Sequence, residues 1–248
     1  PEKRVAYEKK YDMVVGSNNS VFRQIDREQS LVGLMRVGIL KRLESSINSF
    51  ALTVENILNK IDRTIEAIEQ RQLDYDAEMD ISEIDIDDPE FESMMFGNNV
   101  KVLLQDMDLI KWKQDLLADK DKLETILLEA INVTPDRDAK LIELRTLIEN
   151  KINNPINPDN KKVIVFTAFA DTARYLYKHL SEEFAGKGIY SAIVTGSCDN
   201  HSTLPIPKEL RKSVKITDIN TVLTLFSPIS KECSKIFPEV NEYIDVLI

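Results

Sequence analysis

The residues predict two architectures in one chain: an all-α region built as a long-helix hairpin or bundle, then an α/β region with a parallel sheet. Three observations carry this. Apolar side chains recur at three-and-four spacing from Gln29 to about Gln72 and again after Leu109. The stretch NNPINPDN, Asn153 to Asn160, holds two prolines and four asparagines and cannot continue a helix. After it, short β-rich runs alternate with amphipathic segments, the pattern of βα units.

The elements follow in order. Residues 1–28 read as a connecting segment, and residues 29–154 as a helical domain. In its first helix Leu43, Ile47, Phe50, Val54, Ile57, Leu58, Ile61, Ile65 and Ile68 form a coiled-coil-like face. Gly33 and Gly38 near its start suggest close packing or a bend. A second stripe comprises Leu109, Trp112, Leu116, Leu123, Ile126, Leu127 and Ala130, with Trp112 read as a core residue. A third helix is expected over Asp136 to Asn153, with Thr134 as N-cap and Pro135 in the first-turn position. None of these stripes can be buried alone, so the simplest arrangement is an antiparallel hairpin plus a third helix.

Between the first two helices the charge is concentrated. The chain carries a net charge of −10, yet ten acids and no Lys or Arg lie between Asp74 and Glu92, and the remainder holds 32 acidic against 32 basic residues. Repulsion of that density predicts a flexible loop over about 73–98. A DNA mimic, a partner-binding strip and a carboxylate metal site are the functional alternatives; the spacing lacks an EF-hand's central glycine.

Residues 155–248 read as α/β. Val163 to Phe166 is an apolar run without alternation, expected of a strand buried on both faces. Thr167 to Asp171 turns the chain into a helix with Ala173, Leu176, Tyr177 and Leu180 on one side. Ile189 to Thr195 is the next strand, Cys198 to Val214 an exposed loop, Ile216 to Phe226 a helix after the Lys215–Thr217 turn, and Ile244 to Ile248 a third strand. Together they predict a truncated doubly wound sheet. Cys198 and Cys233 show no metal-ligand spacing, and His179 and His201 form no cluster with them, so no metal ligands are assigned and both thiols are expected to be reduced. No apolar run reaches membrane-span length and no signal peptide is seen, which points to a cytoplasmic location without membrane partners.

Four stretches carry a family resemblance. VIVFTAFADTARYL is similar to motif IV at the start of the second RecA-like domain of superfamily-2 helicases, particularly bacterial members near the Swi/Snf-type DNA translocases. LMRVGILKRLESSINSF, Leu34 to Phe50, resembles the helix joining the two RecA-like domains there. IVTGS, Ile193 to Ser197, resembles the next strand and its glycine turn, and IDVLI, Ile244 to Ile248, the strand leading into motif V.

The resemblance implies a truncated RecA-like domain after an inter-domain helical insertion, and a part in an ATP-dependent DNA helicase or translocase. The implied partners are DNA, held by its backbone without regard to sequence, and the first RecA-like domain of the same parent chain. Implied contacts to DNA phosphates are Thr167, Ala168, Phe169, Thr195, Gly196 and Ser197. Arg36, Lys41, Arg42, Ser45 and Ser46 are candidate cleft-lining residues, although solvated charges would look the same. ATP and Mg would belong to the parent enzyme. These residues contain no phosphate-cradling G-x-x-x-x-G-K-[ST] loop and no Asp-Glu motif in a strand-end setting. They therefore read as the middle piece of a larger enzyme with no catalytic residues and no cofactor of its own. Two rivals stay open: a helical interaction module fused to a non-catalytic α/β domain, and a receiver-like or nucleotide-binding α/β domain. The receiver reading lacks an acidic cluster at the end of the Val163 strand.

Overall fold

The computed structural model describes the backbone of residues 13–15, 20–22, 24–71, 78–80, 101–103, 108–158, 160–196 and 200–248, with side chains over 30–70, 108–158, 160–196 and 200–248. The described residues are mostly helical, with a small four-stranded mixed sheet. They divide into two units, one of residues 1–42 and 52–128, the other of residues 43–51 and 129–248. No helix among them is long and apolar enough to cross a membrane.

In the first unit, β1 (Met13–Val15) pairs antiparallel with β2 (Ser20–Phe22). The long helix expected from Gln29 is instead two, α1 (Gln24–Ser45) and α2 (Ile47–Arg71), whose facing ends, residues 43–51, belong to the second unit. The interruption falls at Ser46, whose hydroxyl accepts a hydrogen bond from Asn48 N at 3.2 Å. It does not fall at Gly33 or Gly38, where an added Cβ would meet nothing within 4 Å, so neither glycine marks close packing. The apolar face of α2 buries Val54, Leu58, Ile65 and Ile68.

The partner helix α3 (Leu109–Ile131) runs antiparallel to α2, as the ion pairs show. Lys113 bonds Glu69 at 2.7 Å and Lys120 bonds Asp62 at 2.5 Å, so the partner number falls by seven as the donor number rises by seven. Seven residues are two helical turns. Trp112 is half-buried. The acidic segment lies outside the described residues except for the backbone of β3 (Glu78–Asp80), which pairs antiparallel with β4 (Lys101–Leu103).

The second unit holds the sheet. Its first helix, α4 (Ala139–Asn153), starts three residues later than expected. Its N-cap is Asp138, whose carboxylate accepts from Lys140 N and Leu141 N, and not Thr134, whose carbonyl accepts from Arg137 N and Asp138 N in the preceding turn. A carboxylate that satisfies two free amides at the positive end of the helix outcompetes a neutral threonine four positions upstream. The buried face of α4 (Leu141, Ile148 and Ile152) packs in the sheet's core with Leu180 and Phe184 of α5 (Ala170–Gly186).

The sheet order is β5 (Val163–Ile164), β8 (Val246–Leu247), β6 (Ser191–Ile193), β7 (His201–Ser202). The first three are parallel, and β7 is antiparallel to β6, so the sheet is mixed and not the all-parallel one expected. Val163 and Val165 face the core while Ile164 and Phe166 are exposed. The Val163 run is thus an edge strand covered on one face, and a continuous apolar run does not by itself distinguish that from two-sided burial. Residues 200–214, expected as an exposed loop, carry β7 and bury Leu204 and Val214 in a second apolar cluster with Val222, Leu225 and Ile244. The following helix, α6 (Ile219–Phe226), begins three residues later than expected because Asp218 caps it, accepting from Thr221 N at 3.0 Å and the Thr221 hydroxyl at 2.9 Å. A four-residue helix, α7 (Cys233–Ile236), precedes β8.

Candidate nucleic-acid interface

Parallel strands bring their carboxyl ends to one edge. Val163, Val246 and Ser191 are level across β5, β8 and β6, and the ladder continues through Val165 N to Leu247 O at 2.8 Å and Val194 N to Ile248 O at 2.9 Å. Thr167 and Thr195 stand four residues beyond the level positions Val163 and Ser191. Both therefore follow the carboxyl ends of parallel strands that β8 separates. Thr167, Ala168 and Phe169 therefore share a sheet edge with Thr195 and Gly196. Ser197 lies outside the described residues.

Chemically the edge offers hydroxyls and backbone. Thr167 is half-buried and its hydroxyl donates to Phe169 O at 2.9 Å, which fixes the bend after β5 and leaves the oxygen's lone pairs as acceptors. It does not cap α5; Phe169 occupies the N-cap position, in an extended conformation and without a side-chain cap. The first turn of α5 already contains Asp171, paired to Arg174 at 2.8 Å. That carboxylate would oppose a phosphate at this helix end. Gly196 is exposed, and a Cβ there would meet nothing within 4 Å, so the chain itself does not demand glycine there.

The cleft-lining candidates separate. Arg36 and Lys41 are exposed on α1, whereas Arg42 is buried at 6% exposure. Ser45 is half-buried, its hydroxyl 2.9 Å from that of Thr172, and Ser46 is buried at the break between the helices. Ser49 completes the cluster at 2.8 Å from Thr172, in the first turns of α5. Ser49 and Thr172 escaped the sequence reading because a hydroxyl on an apolar helix face carries no spacing signal.

Beneath α5 a second polar group was also missed. The Tyr175 hydroxyl donates to Asp138 Oδ2 at 3.0 Å, and the Tyr175 ring meets His179 edge-on at 4.8 Å. Burial, then the Asp138 carboxylate, pushes the Tyr175 hydroxyl well above the usual phenol range, so it stays protonated as a donor. Burial, then Lys178 and Arg145, holds His179 below the ordinary imidazole range. The available signal was Asp138 itself, an aspartate directly before an apolar periodic stretch. At the opposite end of the sheet, Lys162 Nζ contacts Ile244 O at 2.5 Å and Asp245 Oδ1 at 3.2 Å, which clamps β5 to β8.

Comparison with protein-family models, with curated proteins and with solved structures returns no match.

Proposed function

We propose that the chain contributes the inter-domain helical region and the first part of the second RecA-like domain of an ATP-dependent DNA helicase or translocase, with the carboxyl edge of the β5–β8–β6 sheet forming part of the nucleic-acid track. The supporting observation is that β5 and β6 are parallel, so the motif IV-like turn with Thr167 and the Thr195–Gly196 turn both follow carboxyl ends on one edge of the sheet. A translocase must hold any sequence, and hydroxyls and backbone amides can bond phosphate oxygens without reading base edges. ATP and Mg would be held by the parent enzyme, with the first RecA-like domain as partner.

Thr167→Val in the parent enzyme tests the reading. It keeps shape and β propensity and removes the hydroxyl, so DNA affinity should fall by about 0.5–1.5 kcal/mol, equally across DNA sequences, with ATP affinity unchanged without DNA. A lowered melting point with unchanged DNA affinity would assign Thr167 to the turn alone. The second reading, a helical interaction module on a non-catalytic α/β domain, is favoured by the ion-paired α2–α3 hairpin. It predicts a protein partner lost on charge reversal along α3 and no effect of Thr167.

A further inference from the structure

Beside β7 lies an open surface depression of about 440 Å³. Its floor is apolar, with Leu204 and Val214 buried in the second core cluster. Its wall is cationic. Residues 200–218 carry Lys208, Arg211, Lys212 and Lys215 against the carboxylates Glu209 and Asp218, in a chain of net charge −10. Arg211 and Lys215 line the depression, and neither forms an ion pair among the described residues. Arg211 Nε is tethered to Ile206 O at 3.4 Å, which orients the guanidinium and leaves its terminal nitrogens available.

The third component is a buried amide. Asn200 is 9% exposed, and its Nδ2 donates to Thr217 O at 3.0 Å, which leaves Oδ1 as an acceptor at the wall. His201, exposed at the rim, offers a ring face. Two cations without ion pairs among the described residues, partly exposed apolar side chains, a buried acceptor and an imidazole at the rim match a ligand with a flat heteroaromatic ring, an exocyclic amine and a phosphate.

We propose that this depression binds a nucleotide unit, its base against the partly exposed Ile206 and Ile216 and its phosphate against Arg211 and Lys215. The unit could be a free nucleotide or one residue of a single strand. Only the second source rests on the proposed track, since His201 pairs with Ile193 near the carboxyl end of β6.

Binding of fluorescently labelled ADP and of fluorescein-labelled oligo(dT) to the whole chain tests this at low salt. At least one probe should bind, and Arg211→Gln with Lys215→Gln should weaken it about tenfold or more. The control pair Lys231→Gln with Lys235→Gln, which removes equal charge elsewhere, should leave affinity within about twofold. Saturable binding of ADP alone identifies a free nucleotide, and of oligo(dT) alone a strand. Failure of both probes, or equal losses in the two double variants, overturns the proposal. If the track reading fails, Thr167→Val leaves oligo(dT) affinity unchanged while the Arg211 and Lys215 pair still weakens ADP binding.

Discussion

The hydroxyls of Ser49 and Thr172 lie 2.8 Å apart in the interior of the second unit and join the start of α2 to the first turn of α5. Ser45 reaches the same Thr172 oxygen at 2.9 Å. One threonine thus ties the break between α1 and α2 to the helix that follows the motif IV-like turn.

Thr172→Val should therefore cost more than an ordinary surface threonine. The isosteric valine removes the hydroxyl that both Ser45 and Ser49 bond, an expected loss of about 1–3 kcal/mol. Urea unfolding of Thr172→Val, Ser49→Ala and the double variant measures it. The double variant should be closer to the wild type than additivity predicts, because both sides of the bond are then gone.

Asp138 serves two roles, so its removal should exceed that of either. Asp138→Ala removes the cap of α4, worth about 1 kcal/mol, and strands the Tyr175 hydroxyl, a further 1–3 kcal/mol. Tyr175→Phe keeps the cap and should cost less. Thermal unfolding of both variants checks the order.

Gly188 has φ +73° in the turn after α5, where Lys187 N and Ile189 N both bond Phe184 O. Space is not the constraint, since a Cβ would meet nothing within 4 Å. Gly188→Ala should cost about 1 kcal/mol from backbone strain alone, and Gly188→Asn, which tolerates the left-handed region, should cost less.

His179 should make the fold acid-sensitive. Its folded pKa is held below the ordinary value of 6.5, by burial first and then by Lys178 and Arg145, against the opposing pull of Asp138. Between the folded value and 6.5 the unfolded chain binds a proton that the folded protein does not. The stability from neutral His179 is thus complete above 6.5 and declines as pH falls from there to the folded value. Glu183, lowered first by its bond to Lys187, and Asp218, lowered first by Thr221, add losses of the same sign at lower pH. His179→Phe should flatten the fall in melting temperature between pH 7 and 5.

What was legible in the sequence was what repeats. The stripe of Val54, Leu58, Ile65 and Ile68 gave α2, and the spacing of Ala173, Leu176 and Leu180 gave α5, because burial selects apolar residues at each turn. What was not legible depends on competition or on distant partners. Asp138 and Asp218 moved two helix starts by three residues because an aspartate cap wins locally over its neighbours. Ile164 and Phe166 were read as buried, but which face of a strand is covered depends on helices elsewhere in the chain. At the candidate edge, Thr167 and Thr195 were legible as turn residues; their place on one edge required β8 between them. Arg211 and Lys215 were present as a run of cations, yet nothing local indicated that the segment folds back over Leu204 to line an open depression with them.

The position of β8 governs the order of assembly. It separates β5 from β6, so the parallel ladder has no continuous path until residues 244–248 arrive, more than eighty positions after Val163. Helices α4 and α5 and the α2–α3 hairpin can form from nearer contacts, but the sheet must wait for a loop closure of that length, which predicts a slow, late step in folding. Until then the inner edges of β5 and β6 present unpaired amides and carbonyls to any other chain. The interval before β8 docks is the period in which this protein is most exposed to strand-mediated aggregation.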